Sequence, residues 1–356
     1  MENIKLLKLE NELSGSVNEN LYYRKKINDL IAEGRRLTKG NQCMFCGKEV
    51  NSFCNSHSLP AFCLKNISHI GEVYSVNILI GFSVSDVDKG VKQAGTFRCI
   101  CRECDSKIFS EYENPENYKS KLTSKMIAQI AMKNYLRQIG KKIEEIGLYK
   151  TALKDIGVNN NLLQHQLRIT ENDMQEYKGK FKKAKRIVNK GWENEYYLFY
   201  SKKLDYVTPV AFQGLVTLIT DLQGNIVNNI YNMDTGYHIQ DLHICVFPLK
   251  DTTQIILFVD SESKRYRKFI KEFNRLEITQ QLAIINYIIF LYSEDVFISK
   301  KIPQNIIDDE ELVSVSKQTY YAMAVPGTNV IEEVIKEYDL NKSNKIPNLL
   351  SEEFKI

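Results

Sequence analysis

Apolar positions recur along this chain with two different periods, and the changes of period mark its segments. Val17, Leu21, Ile27, Leu30 and Ile31 predict a helix over 17–37, ended by Gly40. Val73–Phe82 alternates and is rich in Val and Ile, which predicts a strand. Ser83–Gly95 is polar and reads as a loop, with Thr96–Cys99 as a returning strand. Tyr118, Leu122, Met126 and Ile130 fall four apart, and Leu136, Ile139, Ile143 and Ile146 continue at three and four. That pattern predicts a helix from Tyr118 to Ile146, kinked or interrupted at Gly140. Gly157–Asn161 reads as a linker.

Beyond Leu162 the pattern changes again. Thr170 is expected to cap a helix rich in Lys. Strand-like segments follow at Glu195–Tyr200, Ala211–Thr220, Ile226–Tyr231, Leu242–Leu249 and Gln254–Val259. The turn Asp221–Asn225, with Gly224, predicts one hairpin, and Lys250–Thr253 closes a second. Three helices complete the chain. The first carries Tyr266, Phe269, Ile270 and Phe273 on one face. The second, Thr279–Tyr292, is apolar nearly all round and so expected to be buried. The third starts near Pro303.

The 356 residues suit two domains or three. The expected division is a helical segment over 1–40, a cysteine-rich module with its following helix over 41–150, and an α+β domain with an antiparallel sheet over 162–356, so the fold class is α+β. The net charge of +4 neither demands nor opposes a nucleic-acid partner. The first residues are acidic where a signal peptide is basic. The longest apolar stretch, Leu282–Tyr292, is too short to span a bilayer. A cytoplasmic protein without a membrane partner is the expectation.

Seven of the eight cysteines lie between Cys43 and Cys104. Clustered pairs in an intracellular chain point to metal binding before disulfides. Cys43-Met-Phe-Cys46 and Cys101-Arg-Glu-Cys104 are Cys-x-x-Cys turns, each aiming two thiolates at one point. Together they supply four sulfurs for a tetrahedral structural Zn²⁺. Gly47 suits the tight turn after the first pair. The 54 residues between the pairs exceed a simple zinc ribbon and imply an insertion. Cys99 or Cys54 replacing one ligand, or burial of the cysteines as small apolar residues, are the alternatives. Cys54 and Cys63 read as core or spare thiols, and Cys245, in a strand, as core.

Between the pairs stands Ser56-His57-Ser58-Leu59-Pro60, and after the second pair come Asp105, Phe109, Tyr112 and Glu113. Cys-x-x-Cys, then Ser-His-x-x-Pro, then Cys-x-x-Cys with a polar residue directly after it, resembles the HNH endonucleases of the ββα-metal group. The resemblance covers about residues 43–113 and implies a treble-clef or ββα module. It implies His57 as the general base that activates water, and Asp105 as a ligand of a catalytic Mg²⁺ or Mn²⁺. It also makes the cysteine-bound zinc structural. Ser56 stands where the family most often has Asp, and no Asn falls near Thr96, where the family's orienting Asn would be.

Bland roles exist for the same residues. His57 as a buttress of the knuckle or a fourth zinc ligand, Asp105 as a helix N-cap, and Glu113 as a surface acid are the structural alternatives. His69, His165, His238 and His243 complete no motif in the sequence and read as solvated or core-satisfied. Within the Lys-rich stretch 178–190, Lys182, Lys183, Lys185 and Arg186 are candidate phosphate contacts or a solvated helix face. The expected function is a metal-dependent HNH-type endonuclease acting on nucleic acid, DNA first. Its layout matches bacterial defence or toxin effectors. A non-catalytic zinc module that binds DNA or a protein is the alternative. The C-terminal domain is the expected place for homodimerisation or a regulatory partner.

Overall fold

The computed structural model describes residues 29–30, 32–75, 88–156, 160–232, 234, 236–293, 295–318 and 330–356. The expected helix over 17–28, the strand residues 76–82 and the linker residues 157–159 lie outside the described residues. The strands are β1 (Ser56–His57), β2 (Glu72–Ser75), β3 (Asp88–Gly90), β4 (Thr96–Phe97), β5 (Tyr196–Leu204), β6 (Val210–Val216), β7 (Leu242–Pro248), β8 (Thr253–Asp260) and β9 (Phe297–Ser299). The helices that matter here are α1 (Ala61–Ile67), α2 (Arg102–Ile108), α3 (Ser124–Ile156), α4 (Asn161–Lys190), α5 (Arg267–Phe273) and α6 (Ile278–Tyr292). The fold is α+β. No helix of the described residues is long and apolar enough to cross a membrane.

The chain forms two compact units, each drawn from several stretches. The first takes the described part of Met1–Ser56, with Phe97–Phe109 and Gln129–Lys190; the second takes His57–Thr96, Ser110–Ala128 and Gly191–Ile356. These cuts do not coincide with the linear boundaries expected near 41, 150 and 162. α4 belongs with the cysteines, and the insertion between the cysteine pairs belongs with the large sheet.

In the first unit, α3 and α4 form a long helical pair. Ala152, Leu153 and Leu163 pack together near their junction. Lys142 ties the helices with bonds to Glu145 at 3.0 Å and Asp173 at 3.2 Å. Burial alone would favour the neutral amine, but the two carboxylates hold this lysine charged and raise its pKa. A part-buried triad of this kind favours one pairing of turns between the two helices. α4 starts earlier than expected. Asn160 caps it, its side-chain oxygen accepting from the Leu163 amide at 3.1 Å, so Thr170 is an interior, buried position and not a cap. α3 runs through Gly140 without a break.

The helical residues at 32–37 cross α3 backbone to backbone. A Cβ on Gly147 would sit 2.4 Å from the Gly34 carbonyl oxygen. Ala is the better helix former by about 1 kcal/mol, but a backbone atom cannot step aside as a side-chain tip can. Gly147→Ala is therefore expected to destabilise the protein by about 1–3 kcal/mol in urea denaturation. A stabilised variant would show that the two helices can separate at no cost.

The second unit is built on a seven-stranded antiparallel sheet in the order β3-β2-β9-β6-β7-β8-β5. β7 is buried at every position, and β8 at all but its last, which is why both read as nearly continuous apolar runs. Residues 281–291 of α6 are all buried, as its all-round apolar pattern requires. α1 lies against β6 and β7, and the Asn66 amide donates to the Pro248 carbonyl at 2.9 Å. The sheet exceeds the segments expected at 195–259. Val73 of β2 pairs with Ser299 of β9, so strands from either side of that range join the sheet.

One expected strand is absent. Ile226–Tyr231 makes only the bridge Thr220–Ile226 beyond the Gly224 turn. The Asn228 side chain takes over the hydrogen bonds a ladder would use. Its amide donates to the carbonyls of Leu218 and Gln240, at 2.9 and 3.0 Å, and its oxygen accepts from the Gln240 amide at 3.0 Å.

Candidate metal centre and the groups beside it

The first cysteine pair sits in a tight knuckle. The Cys43 amide donates to the Lys48 carbonyl at 2.9 Å, the Gly47 amide to the Cys43 carbonyl at 2.8 Å, and Gln42 bridges to Glu49. Gly47 has φ +73°, a left-handed conformation that a side chain would strain. The second pair opens α2. Cys101 is its N-cap residue and Cys104 lies one turn in, so both sulfurs point from the helix start. The knuckle and the helix meet directly: the Met44 amide donates to the Cys99 carbonyl at 3.0 Å, and the Cys101 amide to the Cys43 sulfur at 3.3 Å.

The sulfurs of Cys43, Cys46, Cys101 and Cys104 all lie within 4.8 Å of one another. Four cysteines so placed can hold one metal ion, and four thiolates in a closed tetrahedral set are the donors that structural zinc takes. Burial pushes the Cys43 thiol up, but the amides of Cys46, Cys101 and Phe45 stabilise its thiolate and bring it down to about 7. Cys104 is pushed the other way, by burial and by hydrogen bonds with the Cys101 and Cys46 thiols. Crowded sulfurs that cannot all ionise alone are what a divalent cation resolves. Protonation would compete with a metal bound there, so occupancy would fall as the pH drops.

The spare cysteines are accounted for. Cys54 donates to the Ile100 carbonyl at 3.3 Å, and burial together with the nearby Asp105 charge pushes it up to about 12. Cys99 donates to the Leu136 carbonyl at 3.8 Å and is likewise raised by burial. Both lie outside the four-sulfur set. Cys63 and Cys245 are fully buried core thiols.

Asp105 is not the N-cap of α2, a place Cys101 holds. Its carboxylate faces inward. One oxygen, Oδ1, accepts from the Ser56 hydroxyl at 2.6 Å and from the Lys133 ammonium at 2.8 Å. Lys133 comes from α3 and is 1% exposed. Its ammonium lies 4.0 Å from the centre of the buried Phe109 ring and 6.0 Å from that of Phe97. The carboxylate and the ring faces together compensate a charge taken out of water. The resemblance implies a divalent cation on Asp105, and these contacts do not suit one. The oxygen already accepts from two donors, and the ammonium would repel any ion bound to it.

His57, in the second unit, is half buried. Its Nε2 lies 3.1 Å from the Val91 carbonyl oxygen. A carbonyl only accepts, so Nε2 donates, and in the neutral ring Nδ1 is the acceptor. The segment after it is fixed as well: the Ser58 amide donates to the Gly95 carbonyl at 2.8 Å, and Pro60 starts α1. His57 is not among the metal-holding residues of the described chain. The Tyr112 hydroxyl donates to Glu113 at 3.3 Å.

Of the four basic candidates on α4, Lys185 serves the fold. Its ammonium is bound to the Phe45 carbonyl and lies 4.5 Å from the Phe45 ring, clamping the first knuckle. Lys182 and Arg186, one turn apart, are exposed, and Lys183 is half buried. Sequence reasoning missed Lys133 and the Val91 carbonyl. Lys133 left one trace: it falls on the apolar stripe of Met126 and Ile130, where a lysine needs a partner. Comparison with family models, curated proteins and solved structures finds no match for this chain.

Proposed function

We propose that this chain is an HNH-type endonuclease that hydrolyses phosphodiester bonds in nucleic acid, with His57 as the general base and a structural zinc on Cys43, Cys46, Cys101 and Cys104. The observation that carries this reading is the setting of the His57 ring. Its proton is tied to the Val91 carbonyl, which leaves Nδ1 as a bare acceptor on a half-buried side chain. That is how a base is oriented to take a proton from water, and here a backbone carbonyl does the work expected of the missing Asn. His57 follows Ser56 in the chain, and Ser56 is fastened to Asp105 of the helix that the second cysteine pair opens. The metal would hold that helix against the first knuckle. Lys182 and Arg186 offer exposed charge for phosphates, which adds affinity without sequence preference.

The test is cleavage of plasmid and single-stranded DNA, and of RNA, by the zinc-loaded chain. His57→Ala is expected to lower the rate by about two to four orders of magnitude with zinc content unchanged. Cleavage that His57→Ala leaves intact would remove His57 from the mechanism. A second reading, a zinc-held module that binds DNA or protein without cutting, is favoured by the engagement of Asp105 with Lys133. Nucleic-acid binding without cleavage under any condition would select it.

A further inference from the structure

We propose that Lys133 is the resident cation at Asp105, so that the protein binds no Mg²⁺ or Mn²⁺ there. The inference rests on the HNH-type reading, because that resemblance is what assigns a divalent ion to Asp105. The pocket around the carboxylate is fitted to an ammonium. Nζ lies 2.8 Å from Oδ1 and 4.0 Å from the Phe109 ring centre, and the side chain is 1% exposed. An aromatic face attracts a cation but donates no oxygen, so it suits Lys and gives a hard divalent ion nothing to coordinate. Ser56 completes the arrangement. Where an Asp would add a second negative charge for a divalent ion, its hydroxyl donates to the same oxygen at 2.6 Å. Cys54 adjoins the same carboxylate, and burial together with the Asp105 charge pushes its thiol up. Lys133 is 1% exposed, so an ion that is to take its place on Oδ1 has to expel a buried side chain.

The position is thus a cation site filled from within the chain. Removing the ammonium leaves the Asp105 carboxylate, the Ser56 hydroxyl and the volume of the lysine side chain, which water and a divalent ion can enter. Lys133→Ala is therefore expected to gain a Mn²⁺ site that the natural chain lacks.

The experiment is titration of the zinc-loaded full chain with MnCl₂, free Mn²⁺ being read by electron paramagnetic resonance, without nucleic acid. The natural chain is expected to show no stoichiometric site. Lys133→Ala is expected to bind one Mn²⁺ at least ten-fold more tightly, and Lys133→Ala combined with Asp105→Asn is expected to lose it. One Mn²⁺ bound by the natural chain and abolished by Asp105→Asn would overturn the proposal. So would a folded Lys133→Ala that binds no Mn²⁺. Lys133→Ser is the second variant should the alanine variant not fold, with the same two outcomes. Failure of the nuclease reading shows separately, as absence of cleavage, because the titration contains no substrate.

Discussion

Cys104→Ser, or removal of the metal by a strong chelator, is expected to release the bound ion and melt the segments it fastens. The knuckle around Cys43–Cys46 is held by short-range turn bonds and by its meeting with the start of α2. Strands β1 and β4 are two residues each, too short to stand without support. Structural zinc in such small sites supplies about 10–16 kcal/mol of apparent binding energy, which appears as folding energy because the unfolded chain has no preformed site. Amide protection should fall in residues 42–56 and 97–108. The second unit has its own core along β6, β7, β8 and α6, and its protection should persist. Unchanged protection in the metal-free protein would show that the module is held by packing alone.

Asp105→Ala is the second large effect. The substitution removes the carboxylate that faces the Lys133 ammonium from 2.8 Å, with that lysine 1% exposed. Breaking a buried pair from one side typically costs about 3–5 kcal/mol, since the remaining charge stays out of water. Lys133→Met alone strands the carboxylate and should be costly too, less so because Asp105 is 23% exposed at its side chain. The double variant removes both charges and keeps the apolar stem, so it should recover most of the loss. Chemical denaturation of the four proteins gives this cycle. A double variant no more stable than Asp105→Ala would show that the two groups do not act as a pair.

The legible parts of this protein share one property: their signal lies within a short stretch of chain. β7, β8 and α6 are buried nearly all round, so their residues are apolar in unbroken runs. The four ligands announce themselves by spacing, because a Cys-x-x-Cys turn is a local object. The β7–β8 hairpin closes with the Leu249 amide on the Thr252 carbonyl at 2.8 Å, as its turn residues suggest. What stayed hidden depends on distant partners. β2 completes its ladder against β9, whose partner residues lie more than two hundred positions further on, so nothing near Val73 marks it as part of the large sheet. Ile226–Tyr231 has the composition of a strand, and one side chain, Asn228, diverts its hydrogen bonds.

The candidate site divides in the same way. His57 and Asp105 were visible as motif positions, but their settings were not. The group that orients His57 is a backbone carbonyl of Val91, which has no side-chain signature at all. The group that neutralises Asp105 sits 28 residues away on another helix. In sequence Ser56 marked only a departure from the family's usual Asp. In the structure it is a donor to Asp105, a role that a serine fills and an aspartate does not.

The proposed nuclease reading assumes that four thiolates hold the knuckle and α2 together. X-ray absorption at the zinc edge of the purified full chain tests this most directly, read beside the metal content. One zinc per chain is expected, with four sulfur neighbours at about 2.3 Å and no nitrogen in the shell. A protein purified without chelators that carries no metal, or a zinc whose shell contains a histidine nitrogen, would contradict the four-cysteine centre.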